Sequence, residues 1–114
     1  MELGLIVREQ DGGCVLAVSG EIDLATAPSL RERLHGLLAD EKQRLVVDLD
    51  DVSFLDSTAL GVLVGVLKRA RTEGGEVRIA CTQPRVRKVF EITRLDSAFD
   101  LFDSVDEALR GARE

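Results

Sequence analysis

Arg44-Leu45-Val46-Val47-Asp48-Leu49 leads, after six intervening residues, into Asp56-Ser57-Thr58-Ala59-Leu60-Gly61-Val62-Leu63-Val64-Gly65-Val66-Leu67-Lys68-Arg69-Ala70, and this passage decides the fold. The first block is short, β-branched and apolar on successive positions, as expected of a strand covered on both faces. The second carries no charge from Ala59 until Lys68, so a helix here is expected to be buried nearly all round. Gly61 and Gly65 lie four apart, on one helix face. Glycine costs helix stability, and a close approach of helix to sheet is the expected offsetting gain. A covered strand feeding a buried helix is an α/β unit.

Upstream of this unit, Leu3, Leu5 and Val7 alternate with smaller or polar residues, as in a strand with one buried face. Asp11-Gly12-Gly13 supplies the positive-φ positions of a turn, and Cys14 to Ser19 resumes with Val15, Leu16 and Val18. The two segments read as an antiparallel N-terminal hairpin. After Gly20-Glu21-Ile22-Asp23 a helical period takes over, with Thr26 as N-cap, Pro28 in the first turn and Leu30, Leu34, Leu37 and Leu38 on one stripe. His35 falls off that stripe and reads as a helix-surface residue.

Downstream, Glu73-Gly74-Gly75-Glu76 ends the long helix in a C-cap turn, and Val77 to Cys81 reads as another strand. Pro84 opens a third helix with Val86, Val89 and Phe90 inward. Phe99-Asp100-Leu101-Phe102 reads as an edge strand. Ser104 and Glu107 form a capping box ahead of Val105, Ala108, Leu109 and Ala112 on a final helix. The order is β-β-α-β-α-β-α-β-α. Right-handed crossovers then give a small mixed β-sheet of four to five strands with α-helices packed against it.

The chain has 114 residues, so residues 1–114 make one domain, expected to hide about two thirds of its surface on folding. Its 45% apolar and 32% charged residues are those of a globular protein, and the net charge of −6 disfavours nucleic acid and anionic membranes as partners. One histidine cannot build a multi-His metal site, and Cys14 and Cys81 lie inside apolar runs, where buried free thiols are expected. Met1-Glu2-Leu3-Gly4 opens no secretory signal, and no apolar run is long enough for a membrane span. A cytoplasmic protein is expected.

Any chemistry sits where strand leads into helix. Asp56-Ser57-Thr58 offers an acid and two short hydroxyls, and two readings of it stand. In one, Asp56 or Ser57 is only an N-cap for first-turn amides that lack intrahelical partners. In the other, Ser57 accepts a phosphate at the positive end of the helix, where it is tolerated by the fold while the surface changes sign. Catalysis is disfavoured: there is no Gly-x-Ser-x-Gly elbow, no nearby histidine base and no phosphate-cradling loop. The cluster Arg85, Arg87 and Lys88 reads either as a solvated helix face or as a docking site for an acidic patch.

Gly20-Glu21-Ile22-Asp23, Val47-Asp48-Leu49 and Phe54-Leu55-Asp56-Ser57-Thr58-Ala59-Leu60-Gly61-Val62-Leu63 together resemble the STAS domain of bacterial anti-sigma factor antagonists. The similarity extends to Gly74-Gly75 and to Val89-Phe90-Glu91-Ile92-Thr93, nearly the whole chain. The resemblance implies that Ser57 is the phosphoacceptor and that Asp23 lies near it. It further implies that the unphosphorylated protein binds an anti-sigma factor serine kinase of the histidine-kinase-like ATPase fold and frees its sigma factor. Phosphorylation of Ser57 would end that complex and a PP2C-type phosphatase would reset it. Asp23, Asp56, Ser57, Thr58, Ala59 and Leu60 are the expected partner-binding patch. ATP would belong to the kinase, so no cofactor and no metal are expected here, and the free protein is expected to be a monomer. A non-switching STAS scaffold in a larger sensory assembly is the alternative. Two positions depart from the family pattern. Ala59 stands where glycine is usual, adding a methyl group beside the acceptor, and Arg94 replaces the glycine before Leu95, where a positive φ would strain it.

Overall fold

The structure is a computed structural model that describes residues 2–40, 44–99 and 101–111. The elements follow in the expected order: β1 (Gly4–Gln10), β2 (Gly13–Ile22), α1 (Ala27–Ala39), β3 (Arg44–Leu55), α2 (Ser57–Thr72), β4 (Glu76–Ala80), α3 (Pro84–Ile92), β5 (Leu101–Phe102) and α4 (Val105–Arg110). They build one five-stranded sheet in the spatial order β1-β2-β3-β4-β5. The hairpin pair β1–β2 is antiparallel and the other three pairs are parallel.

The sheet is covered on both faces, which explains the unbroken apolar run in β3. Leu45, Val47 and Leu49 face α1, α2 and α3, sharing a core with Leu30, Leu34, Leu63, Val66, Val86 and Phe90. Val46 points the other way, into a smaller cluster with Val15, Ala80, Phe102, Ala108 and Leu109 beneath α4. Phe90 meets Phe99 edge-on at 5.8 Å between ring centres. Neither cysteine is in a disulfide and both are buried, and burial pushes the Cys81 thiol up, away from the reactive thiolate. Among the described residues, no helix is long and apolar enough to cross a membrane.

Several local expectations change. Helix α2 is not buried all round: Ala59, Leu60, Leu63, Val66, Leu67 and Ala70 form its inner stripe, while Gly61 and Gly65 face open space. The two glycines therefore mark the solvent side, not a close approach to the sheet. Gly20-Glu21-Ile22 is the end of β2, set off by register shifts against β3, and not a free turn. The last edge strand is only Leu101–Phe102, with Phe99 in the turn before it. Asp100 and Ala112 lie outside the described residues.

The two helix ends flagged by the sequence share one geometry. After α2, the Gly75 amide donates to the Ala70 carbonyl at 2.7 Å and the Gly74 amide to that of Arg71 at 3.2 Å. After α3, the Leu95 amide donates to Phe90 at 2.8 Å and the Arg94 amide to Glu91 at 3.1 Å. Closing a helix in this way requires a left-handed residue. Gly74 takes it at φ 81° and Arg94 at φ 63°, so the strain expected of Arg94 is present.

Candidate functional site

Strands β2 and β3 finish side by side, with Ile22 paired to Leu55. The next residue of each chain is an aspartate, and the amide of Asp56 donates back to the Ile22 carbonyl at 3.2 Å. From these adjacent ends the chain enters α1 and α2, so the two helix starts form one surface at the tip of the sheet. It is held above β4, which pairs only with residues 44–48 of β3.

At α2, Asp56 is the N-cap and its carboxylate accepts from the Ala59 amide at 3.1 Å. This settles which residue caps the helix. Ser57 is the first helical residue, exposed, and its hydroxyl has no partner among the described residues. Thr58 is half-buried beside it. Ala59 and Leu60 do not belong to a contact patch: they are 0% and 5% exposed and point into the core. The extra methyl of Ala59 is packed inward, where third-position helical geometry turns it, and does not reach the exposed face that carries Ser57.

At α1 the capping logic differs from expectation. Thr26 occupies the N-cap position but makes no side-chain cap bond to the helix. Its hydroxyl donates backwards to the Glu21 carbonyl at 2.7 Å and accepts from the Asp23 amide at 2.9 Å. Asp23 does the turn-closing, accepting from the Ala25 and Thr26 amides at 2.9 and 3.1 Å. The Thr26 amide is the main reason the Asp23 carboxyl sits below its usual range, with some opposition from desolvation. Asp23 thus shapes the loop, and the loop lifts Leu24 to 75% exposure next to α2. Phe54, 47% exposed at the end of β3, is the second large apolar side chain at this tip. Neither was legible as a surface residue, because an apolar residue next to a turn gives no periodic signal of its own.

Between α1 and α2 a groove of about 700 Å³ runs from Thr58 and Leu24 past Val62 to His35 and Arg69. His35 is not a simple surface residue. Arg69 donates to its Nδ1 at 2.9 Å and to its carbonyl at 3.2 Å, tying the helices together. Guanidinium only donates, so this imidazole is a neutral acceptor. Burial, then Arg69 and Arg31, hold its pKa below the usual histidine value, in agreement. In the basic cluster, Arg87 donates to the Cys81 carbonyl at 2.7 Å and pairs with Asp103 at 3.2 Å, so it braces the start of α3. Arg85 and Lys88 are exposed. Among the described residues, no group of three or more His, Cys, Asp or Glu side chains is placed to hold a metal ion.

The tip thus carries a capped helix start with one exposed, unbonded hydroxyl, on a surface that also exposes Leu24 and Phe54. Known proteins share this fold and sequence. The STAS domain family model matches residues 5–108. The anti-sigma-B factor antagonist of Bacillus subtilis is 36% identical over 101 residues, covering 89% of this chain and 92% of that protein. The protein of the same name from Staphylococcus aureus is 37% identical over 95 residues, covering 83% and 88%. A crystal structure of an anti-sigma factor antagonist from Mycobacterium paratuberculosis superposes with a TM-score of 0.89 at 34% identity, over 98% of this chain and 95% of that one. The chain belongs to the STAS-domain family of anti-sigma factor antagonists.

Proposed function

We propose that this protein is an anti-sigma factor antagonist that works as a phosphorylation-controlled partner switch. In its unmodified state it binds an anti-sigma factor that is itself an ATP-dependent serine kinase, and the bound anti-sigma factor lets go of its sigma factor. The kinase transfers the γ-phosphoryl group of ATP to the Ser57 hydroxyl, releasing ADP, and the complex parts. A PP2C-type phosphatase hydrolyses the phosphoserine and restores the binding form. This chain supplies the acceptor and the docking surface, without catalysis of its own, and acts in the cytoplasm.

The observation that carries this reading is the exposed, unpartnered Ser57 hydroxyl at the first position of α2. Because Asp56 already caps the helix, Ser57 has no structural duty that modification would disturb. First-turn amides and the helix dipole accommodate the phosphate. The same phosphate adds nearly two negative charges beside Asp56, on the tip that also exposes Leu24 and Phe54, where a partner must pack closely. A loss of about 3 kcal/mol of binding weakens association more than a hundredfold.

The test is affinity capture from native lysate with Ser57→Ala and Ser57→Asp baits, with wild-type protein incubated with ATP and the captured partner. The expected result is an ATPase-type kinase held by the alanine bait and absent from the aspartate bait, with one phosphate added at Ser57. Equal capture by both baits with Ser57 unmodified would leave a scaffold and defeat the switch.

A further inference from the structure

The two edges of the sheet are unlike. On one side β5 is two residues long; on the other, β1 runs over seven residues, from Gly4 to Gln10. Among the described residues β1 pairs with β2 alone, so from Gly4 to Arg8 one row of its backbone donors and acceptors faces away from the sheet. Glu2 and Leu3 prolong the same line, lying within 4 Å of where a side chain on Gly20 would begin. Edges of this length are usually blunted by a bulge, a proline, charged side chains or a covering segment, and β1 has charges only towards its end, at Arg8 and Glu9. The β1–β2 register instead runs without interruption from Gly4 to Gln10.

From Leu3 to Val7 the side chains of this edge are apolar on both faces, and the charged Arg8 and Glu9 follow. Leu3, Leu5 and Val7 point to the helical side, where Leu3 and Leu5 are only half-buried and Val7 is 37% exposed. Beside them an open groove of about 840 Å³ separates β1 from α1, with Leu37 on its far wall and Gly36 leaving space. On the opposite face Ile6 is 67% exposed. An added strand would set alternate side chains into the groove and onto Ile6, the pattern by which sheet edges recruit strands.

We infer that β1 is a self-association edge, and that two copies of this chain pair through antiparallel β1 strands with Leu5 on the twofold axis. In that register Leu3 stands opposite Val7 of the second copy, and Leu5 opposite Leu5, so every pair above the grooves is apolar. On the other face Ile6 stands opposite Gly4, which offers no side chain to oppose it. Glu2 stands opposite Arg8 at both ends, giving two cross-strand ion pairs. Glu2, Leu3, Leu5, Ile6, Val7 and Arg8 thus form a self-complementary sequence, apolar in the centre and oppositely charged at its limits. The ten-strand sheet that results leaves Ser57 free in both copies, because β1 is separated from β3 by β2. The dimer therefore presents two acceptor sites to its partners, in place of the monomer expected from sequence.

The test is sedimentation velocity of the full chain across a concentration series. A reversible dimer of twice the 12.5 kDa chain mass is expected. Ile6→Lys, at an exposed position, should abolish it without loss of the circular dichroism signal. Glu2→Arg and Arg8→Glu should each weaken it about tenfold, since each turns two cross-strand attractions into repulsions. The double reversal Glu2→Arg/Arg8→Glu should restore it. A monomer at every concentration would overturn the inference, as would a dimer indifferent to these changes or one that the double reversal fails to rescue.

Discussion

At the start of α1 the Thr26 hydroxyl is buried and bonded on two sides; at the start of α2 the Ser57 hydroxyl is exposed and bonded to nothing described. Yet both helices leave neighbouring strand ends, and both begin behind an aspartate that accepts amide protons. The difference is one of placement. Thr26 lies three residues after its aspartate and folds back under the loop, whereas Ser57 directly follows Asp56 and is carried outward by the first helical turn. A hydroxyl committed to the backbone holds a loop. An uncommitted one, on a helix capped by another residue, is free to be modified.

The contrast can be broken most sharply at the docking surface. Ser57→Asp should weaken capture of the partner kinase by about a hundredfold relative to Ser57→Ala, measured by titration calorimetry. Both variants should keep the stability of the parent within about 0.5 kcal/mol in urea. The same deletion at the other helix should do the reverse. Thr26→Ala should cost about 2 kcal/mol in urea denaturation, because it strands the part-buried Asp23 amide and loses the bond to Glu21. Partner affinity should fall only as far as the loop carrying Leu24 loosens. If Thr26→Ala proved neutral and Ser57→Ala destabilising, the assignment of roles would be inverted.

Arg94 gives a smaller test, set against Gly74. Both residues close a helix in the left-handed region, but only one is suited to it. Arg94→Gly should stabilise the protein by about 0.5–1 kcal/mol in the same assay, and Gly74→Ala should destabilise it by a similar amount. The smallest expected effect concerns Asp48 on β3. Burial pushes its carboxyl pKa up, against the Asp50 amide that donates to it at 3.1 Å. A raised folded pKa means that the native state holds the proton more tightly than the unfolded chain, so this contribution is present in acid and lost as pH rises through that pKa. Asp48→Asn should therefore raise the melting temperature at neutral pH, with the gain vanishing in acid.

Much of this architecture was legible. The alternation in β1, the continuous apolar run in β3 and the cap signals at Ser104 and Asp56 each follow from local rules that nothing in the tertiary structure overrides. Arg94 was legible as well, since the family pattern exposes a position that wants glycine. What escaped was orientation within apolar segments. From Ala59 to Leu67 every residue is apolar or glycine, so the sequence gives no polar face by which to tell the inner stripe from the outer. Hence Gly61 and Gly65 were expected to meet the sheet, and Ala59 and Leu60 to meet a partner, while the structure turns each of them the other way. Thr26 escaped for a different reason. A threonine before a helix looks like a cap whether its hydroxyl points forward to the first turn or back to the loop.

The overhang of β3 above β4 has one more consequence. Beyond Asp48 the strand has lost its neighbour, and side chains stand in for one. Asp50 accepts from the Thr82 amide and hydroxyl at 2.6 and 3.0 Å, and Gln83 donates its amide to the carbonyls of Asp50 and Val52. This border next to Ser57 is already occupied, so a visiting protein would find little bare peptide to grip there. Under the proposed function, recognition at the tip is then made by side chains, without extending the sheet. In the proposed switch, a contact of that kind has few redundant parts, and a single phosphate on Ser57 would suffice to undo it.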